Sequence, residues 1–333
     1  MIRLVQLHHP QQGRFVAVVE EPHLRVLENH ASIYGLAAEC ITSGRNIADS
    51  VGPWPLGVTT LKYDEVYEGR STWKLLPCFD HPSDPTRCFV TGTGLTHKAS
   101  AENRQSMHAA TEQLTDSMKM YRIGLEGGWP PAGQIGAAPE WFYKGTGRIL
   151  RAHGQSLTVP NHGLDGGEEA EIAGVYIIGP NGQPFRIGLT QGNEFSDHVM
   201  EAQNYLYLSA SKLRQCALGP ELVIGHDFVE LQGRAAVERN GKTLWQSPIA
   251  SGGRWMSHSL ANLEHHHFKH ERHRHPGEAH IHFFGADVFS FRDRLKLQEA
   301  DEMVIAFDSM GRPLRNPLHI DDFTPQLVSV KVL

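Results

Sequence analysis

Along most of this chain, apolar positions fall in short alternating or clustered runs separated by turn residues. IRLVQL (residues 2–7) and RFVAVV (14–19), joined by HPQQG, predict two strands and a turn, and LRVLE (24–28) predicts a third strand. Residues 31–50 carry apolar positions at helical spacing and stop before the breaker run VGPWPLG. From residue 88 the pattern predicts a strand, CFVTGTGL, then a helix over 100–126 with Ser100 as its N-cap, then the Gly- and Pro-rich loop GGWPPAGQIGAAP. Short strands follow in EWFYKG, LTVP, EAEIAGVYIIG, PFRIGLTQGNE, ELVIG, FVELQGRAAVERNG, AHIHFFGADVFSF and DEMVIAFDSMGRPLRNPL. Asn-Gly pairs at Asn181 and Asn240 mark hairpin turns. The expected fold class is α+β, mostly β and largely antiparallel, with a small β-rich N-terminal domain over 1–72 and a larger domain over 73–333.

Composition narrows the function classes. The 333 residues carry 31 Lys and Arg against 37 Asp and Glu, a net charge of −6, which offers no generic surface for nucleic acid. No run approaches the roughly 18 uninterrupted apolar residues of a membrane span, and the N-terminus turns polar too early for a secretory signal, so cytoplasm is the default expectation. Cys40, Cys78, Cys88 and Cys216 are scattered singly, as reduced thiols are. Neither a GxGxxG after a first strand nor a P-loop is present.

Chemistry concentrates in two segments. Glu169 and Glu171 flank Ala170 in a run that otherwise reads as a buried strand, and alternation puts both carboxylates on one face. Two like charges so placed raise each other's pKa unless a cation neutralises them, which a metal would do; the alternative is a strand edge whose glutamates face water. Glu194, after the next strand, is a candidate third oxygen ligand, and three carboxylates suit Mg²⁺, with Mn²⁺ possible, better than zinc. Lys212 is a candidate proton acceptor beside a dication, or else a surface lysine.

The order of these residues resembles the fumarylacetoacetate hydrolase family. That family runs ExELAVVIG, then ND-V-S-x-R-D, then a lysine before GP; here the chain reads EAEIAGVYIIG, GNEFSDH and Lys212 ahead of Gly219-Pro220. LRNPL resembles the family's C-terminal LRN, and EWFYKG its F-x-K segment, so the likeness spans roughly residues 88–318. Where the C–C hydrolases carry GLNYxxHxxE, this chain reads GLTHKASAEN, with Ser100 at the histidine's place, Glu102 one position early and His97 three positions away. Ala286 stands where many members have the threonine of a TGT turn. EFSDHVMEAQNYLYLSASK resembles the sugar-acid dehydratase branch, and PEWFYKG, LTHKASAENR and SHSLANLEHHHFK resemble a bacterial subgroup of it associated with L-arabinose catabolism.

The resemblance implies a fumarylacetoacetase C-terminal-like β-sandwich or roll and a homodimer. It implies Mg²⁺ held by Glu169, Glu171 and Glu194, and a small 2-keto sugar acid as partner. The reaction it implies is dehydration of 2-keto-3-deoxy-L-arabonate to α-ketoglutaric semialdehyde. In this scheme Lys212 is the base at C3, Glu102 protonates the C4 hydroxyl, Ser100 holds substrate hydroxyls, Lys144 meets the carboxylate, and Phe142, Gly285 and His282 line the pocket. An acylpyruvate-type C–C hydrolase and a non-catalytic sugar-acid-binding protein are the competing classes. The histidine-rich stretch EHHHFKHERHRHPGEAHIH alternates with Lys, Arg and Glu, as a surface or subunit-contact segment does, except that His280 and His282 sit on one side of a strand near the expected pocket.

Overall fold

Each apolar run leaves a row of backbone donors and acceptors that a neighbouring strand satisfies, and the runs here pair into two sheets. The structure is a computed structural model and describes residues 1–51, 59–108 and 115–333. Most of the expected breaker run, and residues 109–114 of the helix expected over 100–126, lie outside the described residues. The first third comprises β1 (Ile2–His9), β2 (Gly13–Glu20), β3 (His23–Leu27), α1 (Ile33–Ser43), α2 (Ile47–Ser50), β4 (Thr60–Lys62), α3 (Tyr63–Tyr67), β5 (Lys74–Leu75), β6 (Cys88–Gly94), α4 (Lys98–His108) and α5 (Asp116–Gly127). Then come β7 (Glu140–Thr146), β8 (Leu150–Arg151), β9 (Leu157–Val159), β10 (Ala170–Ile178), β11 (Pro184–Asn193), α6 (His198–Gln203), α7 (Leu208–Lys212), β12 (Cys216–Leu218) and β13 (Leu222–Ile224). The last part holds β14 (Leu231–Arg239), β15 (Lys242–Ser251), α8 (Leu260–Phe268), β16 (Ala279–Phe283), β17 (Glu302–Phe307) and β18 (Leu314–Ile320).

The fold is α+β and mostly β. The larger sheet runs β4-β3-β2-β1-β13-β11-β10-β16-β6-β7, with β5, β8 and β12 attached to its flanks, and the smaller runs β15-β14-β17-β18-β9. Residues 1–72 supply β1–β4, and the sheet continues from them through the pairing of Leu4 with Leu222, so the strands cross the boundary drawn near residue 72 without a break. β10 lies inside this sheet and is buried along its whole length, which is why it reads as a continuous apolar run rather than an alternation. Its Ala173, Val175 and Ile177 pack with Val90, Ile281 and Phe283 on one face, while Ile172 packs with Phe284 and the smaller sheet on the other. The turn at Asn240-Gly241 has φ of 52° and 73°, both positive, as the expected Asn-Gly hairpin requires.

Two helices differ from expectation for local reasons. The run expected over 31–50 breaks at Gly44, which adopts φ 67°, closes α1 with an N–H bond to the Cys40 carbonyl, and is followed by Asn46 as the cap of α2. Ser100 is not an N-cap: α4 begins at Lys98, and the Ser100 hydroxyl, inside the first turn, donates back to the His97 carbonyl at 3.0 Å. Thr115 caps α5 instead. The four cysteines are free and buried. Among the described residues no helix is long and apolar enough to cross a membrane.

The histidine-rich stretch divides in two. His270 and His275 are exposed, and His280 and His282, set apart from the surface reading, are buried on β16; His266 and His267 on α8 are buried as well, which corrects the surface reading for these two. Trp141 Nε1 donates to His267 Nδ1 at 3.3 Å, so His267 is neutral and its Nε2–H meets His280 Nδ1 at 3.1 Å. The His267 ring also stacks on His282 at 4.4 Å. Burial, with help from neighbouring histidines, pushes His280 and His282 down to about 3, and burial pushes His97, His153 and His258 down to about 4. These imidazoles titrate near 6.5 in an unfolded chain, so below that pH the unfolded state binds more protons than the folded one. Stability is therefore full above pH 6.5 and is lost as the pH falls toward the folded values. We expect the melting temperature to drop steeply between about pH 6.5 and pH 4; a curve flat across that window would contradict the burial of these rings.

Candidate metal centre and active site

Register brings the acidic residues together. Glu171 pairs with Gly192 across β10 and β11, and beyond the strand ends the Glu194 N–H donates to the Glu169 carbonyl at 3.0 Å. Glu169, Glu171 and Glu194, 6%, 1% and 0% exposed, each offer an oxygen within 4.8 Å of the other two. The two-residue spacing thus does put Glu169 and Glu171 on one face, and Glu194 meets them. The alternative of a strand edge facing water does not apply.

The protein holds one oxygen of Glu171 and one of Glu169 and leaves the second oxygen of each without a partner among the described residues. Oε2 of Glu171 accepts the Gly285 N–H at 2.7 Å. Gly285 has φ 102°, and a Cβ there would lie 2.0 Å from Thr96 Oγ1, so only glycine fits this turn. Oε1 of Glu169 accepts from Lys212 Nζ at 2.5 Å and from His198 Nε2 at 3.0 Å. Glu194 pairs with Lys144 through Oε1 at 2.5 Å and with Lys212 through Oε2 at 2.8 Å. Burial, and the charges of Glu194 and Glu169, hold the Glu171 carboxyl well above the usual range, whereas Lys212 and His198 overcome burial and hold Glu169 well below it. A buried set of hard oxygen donors, crowded by its own charge and with unengaged lone pairs, fits a divalent cation such as Mg²⁺ or Mn²⁺.

Lys212, at the end of α7, lies among these carboxylates, donating also to Ser196 Oγ at 3.0 Å and passing 5.1 Å above the Phe142 ring. It is buried, which removes the surface reading. Phe142 forms the floor beneath it. Lys144 differs from expectation. Its Nζ is bound to Glu194 Oε1 and to the carbonyls of Phe195 at 2.6 Å and Lys212 at 3.1 Å, which leaves no donor for a substrate carboxylate, so it clamps the Glu194 loop.

Three other expected residues are engaged elsewhere. Glu102 is exposed on α4 and paired with Lys98 at 3.5 Å. Ser100, in the same turn, is spent on the His97 carbonyl. His282 faces the other way: residues directly opposite in a sheet share a face, and His282 pairs with Gly174, whereas Phe283 pairs with Ala173 on the Glu171 side. Its ring therefore joins the histidine cluster behind the sheet, with Nδ1 against Thr91 Oγ1 at 2.8 Å, and does not line the site. A cavity of about 550 Å³ beside Tyr67, His153 and Arg315 is not lined by Glu169, Glu171 or Glu194. Sequence reasoning missed His198, Ser196 and Glu201, although all three follow Glu194 within one short segment. Asp197 caps α6 by accepting the Met200 N–H and so turns His198 back toward Glu169.

No protein-family model matches the chain, and a search of curated proteins finds no relative. Solved structures match over nearly its whole length. 2-Keto-3-deoxy-D-arabinonate dehydratase in its apo form superposes with a TM-score of 0.70 at 18% identity, covering 96% of this chain and 100% of that one. The chain has the fold of that enzyme. The same dehydratase complexed with magnesium and 2,5-dioxopentanoate gives 0.69 at 17% identity over 96% and 99% of the two chains. A 2-hydroxyhepta-2,4-diene-1,7-dioate isomerase from Mycobacterium marinum gives 0.59 at 16% over 97% and 100%. This fold agrees with the sequence motifs, which resemble the sugar-acid dehydratase branch of the fumarylacetoacetate hydrolase family.

The crowding of Glu171 has a direct test. Glu171→Gln removes one of three clustered charges and keeps an acceptor for the Gly285 N–H. We expect an unchanged or higher melting temperature together with at least a tenfold loss of Mn²⁺ affinity by calorimetric titration. Lys144→Met, which takes from the buried Glu194 carboxylate one of its two lysine partners, is expected to cost about 3–5 kcal/mol in denaturant unfolding.

Proposed function

We propose that the protein is a Mg²⁺-dependent hydro-lyase that dehydrates a five-carbon 2-keto-3-deoxy sugar acid, the L-arabonate derivative, to α-ketoglutaric semialdehyde. The observation that carries this reading is the buried triad of Glu169, Glu171 and Glu194 with Lys212 set among it. Support comes from the fold shared with a dehydratase solved with magnesium and 2,5-dioxopentanoate, which is the systematic name of that semialdehyde. The L configuration rests on the sequence motifs, while the solved enzyme is named for the D acid. Dehydration turns C4 into a CH₂ group, so both enantiomers give one product.

Glu169, Glu171 and Glu194 would hold the cation. When bound, it supplies a Lewis acid that polarises the 2-keto group and stabilises the negative charge developing there as C3 loses a proton. Lys212 is the proton acceptor for C3: its Nζ lies at the triad, and positive charge brought beside it favours the neutral amine. The C4–O bond then breaks with loss of water, and the C5 alcohol tautomerises to the aldehyde. Phe142 excludes water beneath Lys212, and Lys144 keeps Glu194 in place. Glu102 as the acid for the C4 hydroxyl requires α4 to approach the triad. We further propose a homodimer in the cytoplasm, following the family resemblance.

The test is to incubate the purified protein and Mg²⁺ with L- and D-2-keto-3-deoxypentonates and with acylpyruvates, following the semialdehyde and carboxylic acid products. Semialdehyde from the L acid is expected, with Lys212→Met lowering kcat by about 10²–10⁴. Cleavage of acylpyruvates alone would establish the hydrolase, and binding without turnover the non-catalytic reading. Full turnover by Glu102→Gln would remove that residue from the reaction, and a purely monomeric sedimentation profile would remove the dimer.

A further inference from the structure

The proposed reaction assigns no task to the residues behind Glu169, yet they form a connected arrangement. His198, 1% exposed, donates from Nε2 to Glu169 Oε1, and its ring lies face to face on Phe289, with centroids 4.7 Å apart and planes 7° from parallel. The next residue, Ser290, gives its N–H and its hydroxyl to the carboxylate of Glu168 at 2.6 and 2.9 Å. Glu168 is fully buried and directly precedes Glu169. Gly167 provides the room, because a Cβ there would lie 2.6 Å from His198 Nδ1. Asp197, bound to Arg214 at 2.8 Å and capping α6, fixes the backbone from which His198 projects. Gly167, Glu168 and Glu169 are thus, in order, a space, an anchor and a ligand.

We infer that His198 is a positioning residue for the divalent ion. By holding Oε1 of Glu169 it sets the plane of that carboxylate and leaves Oε2 for the cation. A carboxylate turns easily about its last torsion, and a fixed donor on one oxygen removes that freedom before the ion arrives. Lys212 is shared with Glu194 and Ser196, whereas among the described residues the one hydrogen bond of the His198 ring goes to Glu169. Phe289 keeps the imidazole from rotating, and the Glu168–Ser290 pair keeps Phe289 in place. This inference rests on the reading of the triad as a metal site.

The experiment titrates Mn²⁺ alone, without substrate, into the full chain and into His198→Ala, His198→Gln and Phe289→Leu, with melting curves to confirm folding. His198→Ala is expected to lose 10- to 100-fold in Mn²⁺ affinity. His198→Gln, whose amide N–H can reach Oε1, is expected to regain most of it, and Phe289→Leu to fall between. A folded His198→Ala that binds within twofold of the wild type overturns the inference while leaving the metal site intact. A folded glutamine variant no better than alanine also overturns it, since packing alone would then explain the loss. If the alanine variant does not fold, wild-type affinity in Phe289→Leu overturns it instead. A wild-type chain that binds no Mn²⁺ removes the metal site and the inference together.

Discussion

Carboxylates gathered away from water repel one another and lose their hydration, so a protein that buries several must bring the opposite charge with them. Here Glu169, Glu171 and Glu194 are held with two lysines, and Glu201 lies 3.3 Å from one of them. Every element around the cluster can be read from this balance. β7 contributes Lys144 from below, α7 ends where Lys212 can touch two carboxylates, and the Gly285 turn aims a backbone N–H at the third. Glu171 is the member least compensated, and it is the one whose charge is pushed hardest toward the neutral form. The surplus of negative charge is what makes a dication a natural occupant.

The same strands carry two different chemistries because a strand alternates its side chains. β16 sends Ile281 and Phe283 toward the packed face of the sheet, and on the other face His280 and His282 meet the His267 imidazole from α8. The face of β10 that packs the apolar core also carries the carboxylates at its end; the other face holds histidine rings kept uncharged by burial. A single-residue slip in the pairing of β10 with β16 would exchange the two faces.

Much of the candidate site was legible in the chain itself. Glu169 and Glu171 were readable because a two-residue spacing in an apolar run has one geometric meaning, and Lys212 because its place after Glu194 matched a known order of motifs. Residues whose role depends on rotation about a strand or on a helix start were not legible. His282 was misplaced because the sequence does not say which face of β16 meets β10, and Ser100 because α4 begins two residues earlier than its cap signal. His198 escaped notice because its function comes from a stack on Phe289, some ninety positions downstream, which no local pattern announces. In the fold, strands and Asn-Gly turns were readable from short-range signals, whereas the joining of residues 1–72 to the main sheet depends on a contact with β13 that is remote in sequence.

That remote contact bears on how the chain is made. β1 and β2 form a hairpin that is complete once Glu20 has left the ribosome, but the far edge of β1 at Ile2–Leu4 waits for Leu222–Ile224 to emerge. Until then an apolar ribbon stands with an open border, the kind of template that recruits stray strands. Closure joins β1 through β13 to β11, the strand that leads into Glu194, so the hairpin and the acidic centre are tied together by strands remote in sequence.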